Sequence, residues 1–262
     1  MNRLLREDPT LNLGKDEETG QMILSGMGEL HLEVTRNRMQ REFNVDAFFG
    51  RPRVSYRETV TSSGKSVGEF EKRINDVFVN GRAKLEVLPR PRPEGDRSMP
   101  PVEVDISAVL KILPSSLQRE ARDILISGCS SGGSHGYPVV DLKVIVLDFR
   151  HNDPPDIAVP LLGALTLALR DALAQAQTIV IEPVMSLEVR APEDSLGAVM
   201  KDLGARRVEI RETDILESFA VVHGMAPLAE MFGYSTNLRS ITQGRGSFSM
   251  ELFDYQPAKS WS

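Results

Sequence analysis

A single cysteine, Cys129, stands in the 262 residues, so no internal disulfide can staple the fold, and a reducing, cytoplasmic setting is expected. An excess of positive charge is also missing. With 31 Lys and Arg against 37 Asp and Glu the formal net charge is -6, so any contact with nucleic acid must rest on local arrangement rather than bulk attraction. The opening MNRLLREDPT has no apolar core and no small-residue cleavage site, which predicts no secretory leader. The uncharged stretch IAVPLLGALTLAL (157–169) has 13 residues, short of the roughly 18–20 of a bilayer span. It is expected to be a buried helix, with no membrane partner. What is present is ordinary globular composition, 41% hydrophobic and 26% charged, at a length that suits one large domain or a few small ones.

Periodicity divides the chain in three. At the end, SLEVRA (186–191) alternates as a strand, and Leu196, Val199, Met200 and Leu203 recur at helical spacing. Strands follow at 208–215 and 218–226, then a helix from about Pro227 to Thr242 and a strand at 246–255. The order β-α-β-β-α-β predicts a ferredoxin-like unit. The start reads as half of the same topology, with strands near 11–15 and 20–25, a helix over 28–43 and a strand at 44–49. A half-unit exposes a sheet edge, which predicts that Met1 is an internal or artificial start. In that helix Leu32, Met39 and Phe43 form one apolar side, with Met27, Leu30 and Val34 opposite. Between these units, strands are expected at 53–60, 67–74, 82–89, 102–108 and 138–148, and helices at 114–127 and 157–175. The proline-rich RPRPEGDRSMPP (90–101) is a loop. Alternating directions place the turns at 75–81, 109–113 and 148–156 together at one end. The class is α+β and multi-domain, an elongated middle domain flanked by ferredoxin-like ends, the first incomplete.

Several patterns invite a chemical reading. GKS (64–66) resembles the end of a phosphate loop, but Thr59 stands where that pattern needs glycine, so a turn between strands is expected. GMGEL (26–30) has His31 where a dinucleotide fingerprint needs its third glycine. ELHLE (29–33) sends His31 to the opposite helix face from Glu29 and Glu33, so the three cannot share one ion. GCSSGGSHGYP (128–138) joins Cys129 and His135 through flexible glycines, with no third orienting group, and is expected to be a plain linker. FRHNDPPD (149–156) sets His151 among Asp148, Asp153 and Asp156. A metal-dependent hydrolase centred on His151 is one reading. A recognition loop at the end of the middle domain is the preferred one.

Runs over the whole chain resemble one family. EDPTLNLGKDEETGQMILSGMGELHLEV (7–34), GRPRVSYRETV (50–60), HGYPVVDLKV (135–144), EPVMSLEV (182–189) and APLAEMFGYSTNLRSITQGRGSFSMEL (226–252) are similar, in order, to the C-terminal half of elongation factor G, a translational GTPase. The resemblance implies a partial domain III at 1–49, a domain IV at 50–182 similar to the second domain of ribosomal protein S5, a domain V at 183–256 and a tail at 257–262. It also implies a monomer whose partners are the ribosome, at the small-subunit decoding region and the large-subunit GTPase-associated RNA, and an upstream GTPase domain of the same parent. GTP and magnesium would belong to that parent, and this stretch would itself hold no catalytic, cofactor or metal site. In the parent the expected activity is GTP-dependent translocation of tRNA and mRNA. The expected ribosome-contacting tip comprises Asn75, Asp76, Asn80, Gly81, Arg150, His151, Asn152 and Asp153. Two departures fall there. The family's GGRGQYG loop is NDVFVNG (75–81), and its GSYHDVDSSE loop is matched by FRHNDPPDIA (149–158), with Asn152 against the family's tip histidine. With EFEKRI (69–74), they make the middle domain similar to the second, ribosome-recycling paralogue of mitochondria, and a bacterial homologue with a divergent tip fits them equally; recycling is the alternative role and, for that paralogue, the mitochondrial matrix the alternative location.

Overall fold

The computed structural model describes residues 2–15, 20–27, 29–44, 48–50, 52–74, 76–93, 96, 99–152, 157–216 and 218–259. The chain divides into two compact units, one of Met1–Ser55 with Glu182–Gln256 and one of Tyr56–Ile181 with Pro257–Ser262. In chain order the regular elements open with α1 (Asn2–Glu7), β1 (Asn12–Lys15), β2 (Met22–Ser25) and α2 (Glu29–Phe43). Strands β1 and β2 pair antiparallel. Leu4, Leu11 and Met39 are buried, while Val34 on α2 is exposed. Helices α1 and α2 are tied by Arg38, whose guanidinium lies 2.8 Å from Glu7 and 3.0 Å from Glu42. The strand expected at 44–49 falls partly outside the described residues, and residues 48–50 are not strand.

The second unit contains β3 (Arg57–Val60), β4 (Gly64–Ile74), β5 (Val77–Pro89), β6 (Val102–Asp105), α3 (Ser115–Ser130), β7 (Val139–Val140), β8 (Leu142–His151), α4 (Ala158–Gln175) and the start of β9 (Thr178–Pro192). Its sheet has the order β4-β5-β8-β6, with β6 parallel to β8 and the other neighbours antiparallel. Alternation explains β5: Val79, Ala83, Leu85 and Val87 face the core, while Asn80, Arg82 and Glu86 face outward. Helix α4 carries Leu161, Ala164, Leu165, Ala168, Leu169 and Ala172, all buried, at the spacing of one helical face. Each buried leucine contributes about 1.5–3 kcal/mol, so this apolar helix belongs to the core. By length and composition alone α4 also suits a membrane span.

Small residues set how closely α4 lies on β4. A Cβ on Gly64 would stand 2.0 Å from the Ala172 carbonyl oxygen, and one on Gly68 would stand 2.1 Å from that of Ala164. Between them the Ser66 hydroxyl donates to the Ala168 carbonyl. Steps of two residues on the strand thus meet steps of four on the helix, about 6.6 Å against about 6.0 Å. The GKS stretch is therefore a packing edge beneath a helix.

The rest of the first unit is β9, α5 (Leu196–Ala205), β10 (Glu209–Leu216), β11 (Phe219–Pro227), α6 (Tyr234–Ile241) and β12 (Ser247–Pro257). The strand order β10-β11-β9-β12 and the βαββαβ connectivity make it ferredoxin-like. Leu187, Val189, Val199, Leu203, Val222, Tyr234 and Leu238 share its core. The single helix expected over 227–242 is broken. A 3-10 turn at Leu228–Met231 comes first, and Gly233, at φ 74°, restarts the chain as α6.

Candidate functional site

The β4–β5 hairpin closes tightly, with Ile74 opposite Val77 and Asp76 at φ 64°. Asp tolerates that left-handed conformation better than most residues. NDVFVNG, expected as a turn at 75–81, is instead strand from Val77 onward, paired with β4 from its first residue, and its in-out alternation sets in at Val79. Strand β8 likewise runs beyond Asp148 to His151. A bulge at Leu147 shifts the register, since Leu85 faces Val146 while Lys84 faces Asp148.

These extensions bring two expected segments together. Gly81 opposes His151 and Arg82 opposes Arg150. The Asn152 side chain accepts the Asn80 N–H at 2.9 Å and donates to the Phe78 carbonyl at 2.8 Å. Asn80 in turn donates through Nδ2 to Glu71 on β4, at 2.9 Å. Arg150 pairs with Asp148 at 2.9 Å, Arg82 with Glu69 at 3.0 Å, and Arg73 with Asp76 at 3.7 Å. Phe78 stands 53% exposed beside them, and the His151 ring lies 5.5 Å from that of Phe149.

One expected member is corrected. Gly81 is buried, and a Cβ there would stand 2.4 Å from the Pro160 carbonyl oxygen, so it seats the first turn of α4 instead of facing outward. Asn75 and Asp153 lie outside the described residues, as does Asp156. Among the described residues no three His, Cys, Asp or Glu side chains gather as a metal site requires.

The other candidates resolve individually. His31 accepts the Met27 N–H at Nδ1 (3.1 Å) and sits 2.8 Å from Asp8 through Nε2. The Thr10 hydroxyl and then His31 hold the Asp8 carboxyl below its usual range. Cys129 is wholly buried on α3, and burial pushes its thiol up to about 12, the opposite of an activated nucleophile. The loop after it is no plain linker. Glu58, fully buried on β3, accepts the N–H groups of His135 (2.9 Å) and Tyr137 (3.0 Å) on one oxygen, and its other oxygen lies 3.3 Å from His135 Nδ1. Burial pushes this carboxyl up, but the nearby Thr178 hydroxyl, which stands outside good hydrogen-bond geometry, and bonds from the Tyr137 N–H and His135 outweigh it and hold the group below its usual range. A parity signal was present in the sequence: Glu58 shares its strand face with Val60, a core residue.

Residues 1–51 match the family described as elongation factor G, domain III, and residues 179–261 match the elongation factor G C-terminus. The chain belongs to the elongation factor G family. The crystal structure of a protein from Thermus thermophilus is also similar, at 31% identity and a TM-score of 0.85 over 98% of this chain and 38% of that one. The chain thus spans well under half the length of that relative. Both family matches lie outside most of the second unit, so elongation factor G membership rests on the two flanking segments, with the structural likeness extending across nearly the whole chain.

Proposed function

We propose that this chain serves an elongation factor G-type translation factor as its ribosome-contacting portion, and that the intact protein promotes GTP-dependent translocation of tRNA and mRNA. The observation that carries the reading is the assembled end of the second unit, where the β4–β5 hairpin and the end of β8 are joined through Asn80 and Asn152. Asp76, Phe78, Arg150 and His151 form its contact set, reaching the small-subunit decoding region, while the C-terminal ferredoxin-like unit meets large-subunit RNA. Arg and Lys suit phosphate contacts, and an exposed aromatic ring suits stacking on an unpaired base. GTP and magnesium are held by an upstream domain of the parent, which acts as a cytoplasmic monomer.

A second reading, ribosome recycling in the mitochondrial matrix, is favoured by the tight closure of the hairpin where the family carries a glycine-rich loop. Co-sedimentation of the intact parent with ribosomes tests the common element, and failure to bind ends both readings. Translocation on programmed ribosomes, compared with subunit splitting in the presence of a recycling factor, separates them. Splitting without translocation would select the second.

A further inference from the structure

The register of β5 and β8 makes Asn80 and Asn152 the next opposed residues after Gly81 and His151. In a regular antiparallel ladder every second opposed pair exchanges two main-chain hydrogen bonds, and the direction of the Asn152 N–H marks this pair as one of them. Here the Asn152 N–H points to the Asn80 carbonyl at 3.4 Å, but the returning bond is different. The Asn80 N–H goes to the side-chain Oδ1 of Asn152 at 2.9 Å, in the place of the main-chain carbonyl. Nδ2 of the same carboxamide then donates to the Phe78 carbonyl at 2.8 Å, two residues further along β5. A carboxamide carries an acceptor and a donor side by side, as a peptide group does. Asn152 therefore continues the ladder with its side chain, and Asn80 passes the connection to β4 through Glu71.

We infer that Asn152 is a positioning residue, a carboxamide clasp that ends β8 and fixes Phe78, Asn80 and His151 as one surface. Its side chain is committed to β5, so it belongs to the frame of the tip and is removed from the set that touches a partner. This departs from the sequence alignment, which sets Asn152 against a residue expected to reach outward. Few other side chains can serve. Asp keeps the acceptor and loses the donor, setting a carboxylate against the Phe78 carbonyl, and Ala loses both.

The test is amide exchange at Asn80 in the full chain, followed by NMR and expressed as protection relative to the intrinsic rate at each pH. Asn152→Ala should lower Asn80 protection about 2–13-fold at all pH values, the loss expected for one hydrogen bond of about 0.5–1.5 kcal/mol. Asn152→Asp keeps an acceptor for the Asn80 N–H, but at pH 7 its carboxylate is repelled by the Phe78 carbonyl and swings away from β5, which should lower the protection; it should be regained as the carboxyl takes up a proton near pH 4, because the neutral acid again offers a donor and an acceptor. A general loosening of the strand end gives no such recovery. Native protection at Asn80 in the Ala variant, or an Asp variant with no pH response, overturns the clasp. The exchange readout needs no ribosome, so its failure is distinct from failure of the proposed function.

Discussion

Replacing Glu58 by Gln keeps shape and volume and removes only the charge. In the native protein one carboxylate oxygen takes two loop N–H groups at 2.9 and 3.0 Å. Hydrogen bonds to a charged acceptor contribute about 1.5–3 kcal/mol each, against about 0.5–1.5 for a neutral one. Two such bonds weaken by about 1 kcal/mol each, so the loss is about 2 kcal/mol at neutral pH. For a unit of this size that corresponds to roughly 6–10 °C in Tm. The sign with pH follows from the depressed carboxyl. The charged form stabilises the fold fully above the unfolded value near 4.3, and this contribution is lost as pH falls through the lower folded value. Urea unfolding at a series of pH values from 7 downward, followed by amide exchange in residues 131–137, should show a gap between native and Glu58→Gln that is widest at pH 7 and narrows steadily in acid. Equal stability at pH 7, or a gap that does not narrow in acid, would refute the reasoning.

Gly68→Ala should destabilise the second unit by about 3 kcal/mol or more by overpacking, since the added Cβ meets a helix carbonyl at 2.1 Å; denaturant midpoints check this. Cys129 should resist a disulfide reagent in the native chain and react at the rate of global unfolding, because its thiol is buried and pushed up to about 12. Arg207→Met removes the partner 3.5 Å from the buried Glu182 carboxylate and should cost about 1–3 kcal/mol. Adding Glu182→Gln to that variant should recover part of the loss, measured by urea titration.

The ferredoxin-like unit was legible in the sequence because its alternation and helical spacing are local properties. Its broken second helix was not, since Gly233 interrupts a pattern that otherwise continues through Leu228 and Leu238. At the tip, the ends of β5 and β8 were hidden by polar residues such as Asn80 and Arg150, which look like loop residues when read singly and become strand only when paired. The Glu58 site stayed hidden for a related reason. Its donors are main-chain N–H groups more than seventy residues away, and a sequence does not show where an N–H points.

The meshing of α4 with β4 has an evolutionary consequence. With carbonyl oxygens of Ala164 and Ala172 set against Gly68 and Gly64, and Ser66 bonded to Ala168 between them, neither surface can acquire bulk alone. The near match of the two repeats also makes the contact a gear: the helix cannot slide along the strand by less than a whole tooth. A lineage that altered one of these glycines would have to rebuild the opposite wall in the same step, so this seam should drift more slowly than the leucines beneath it.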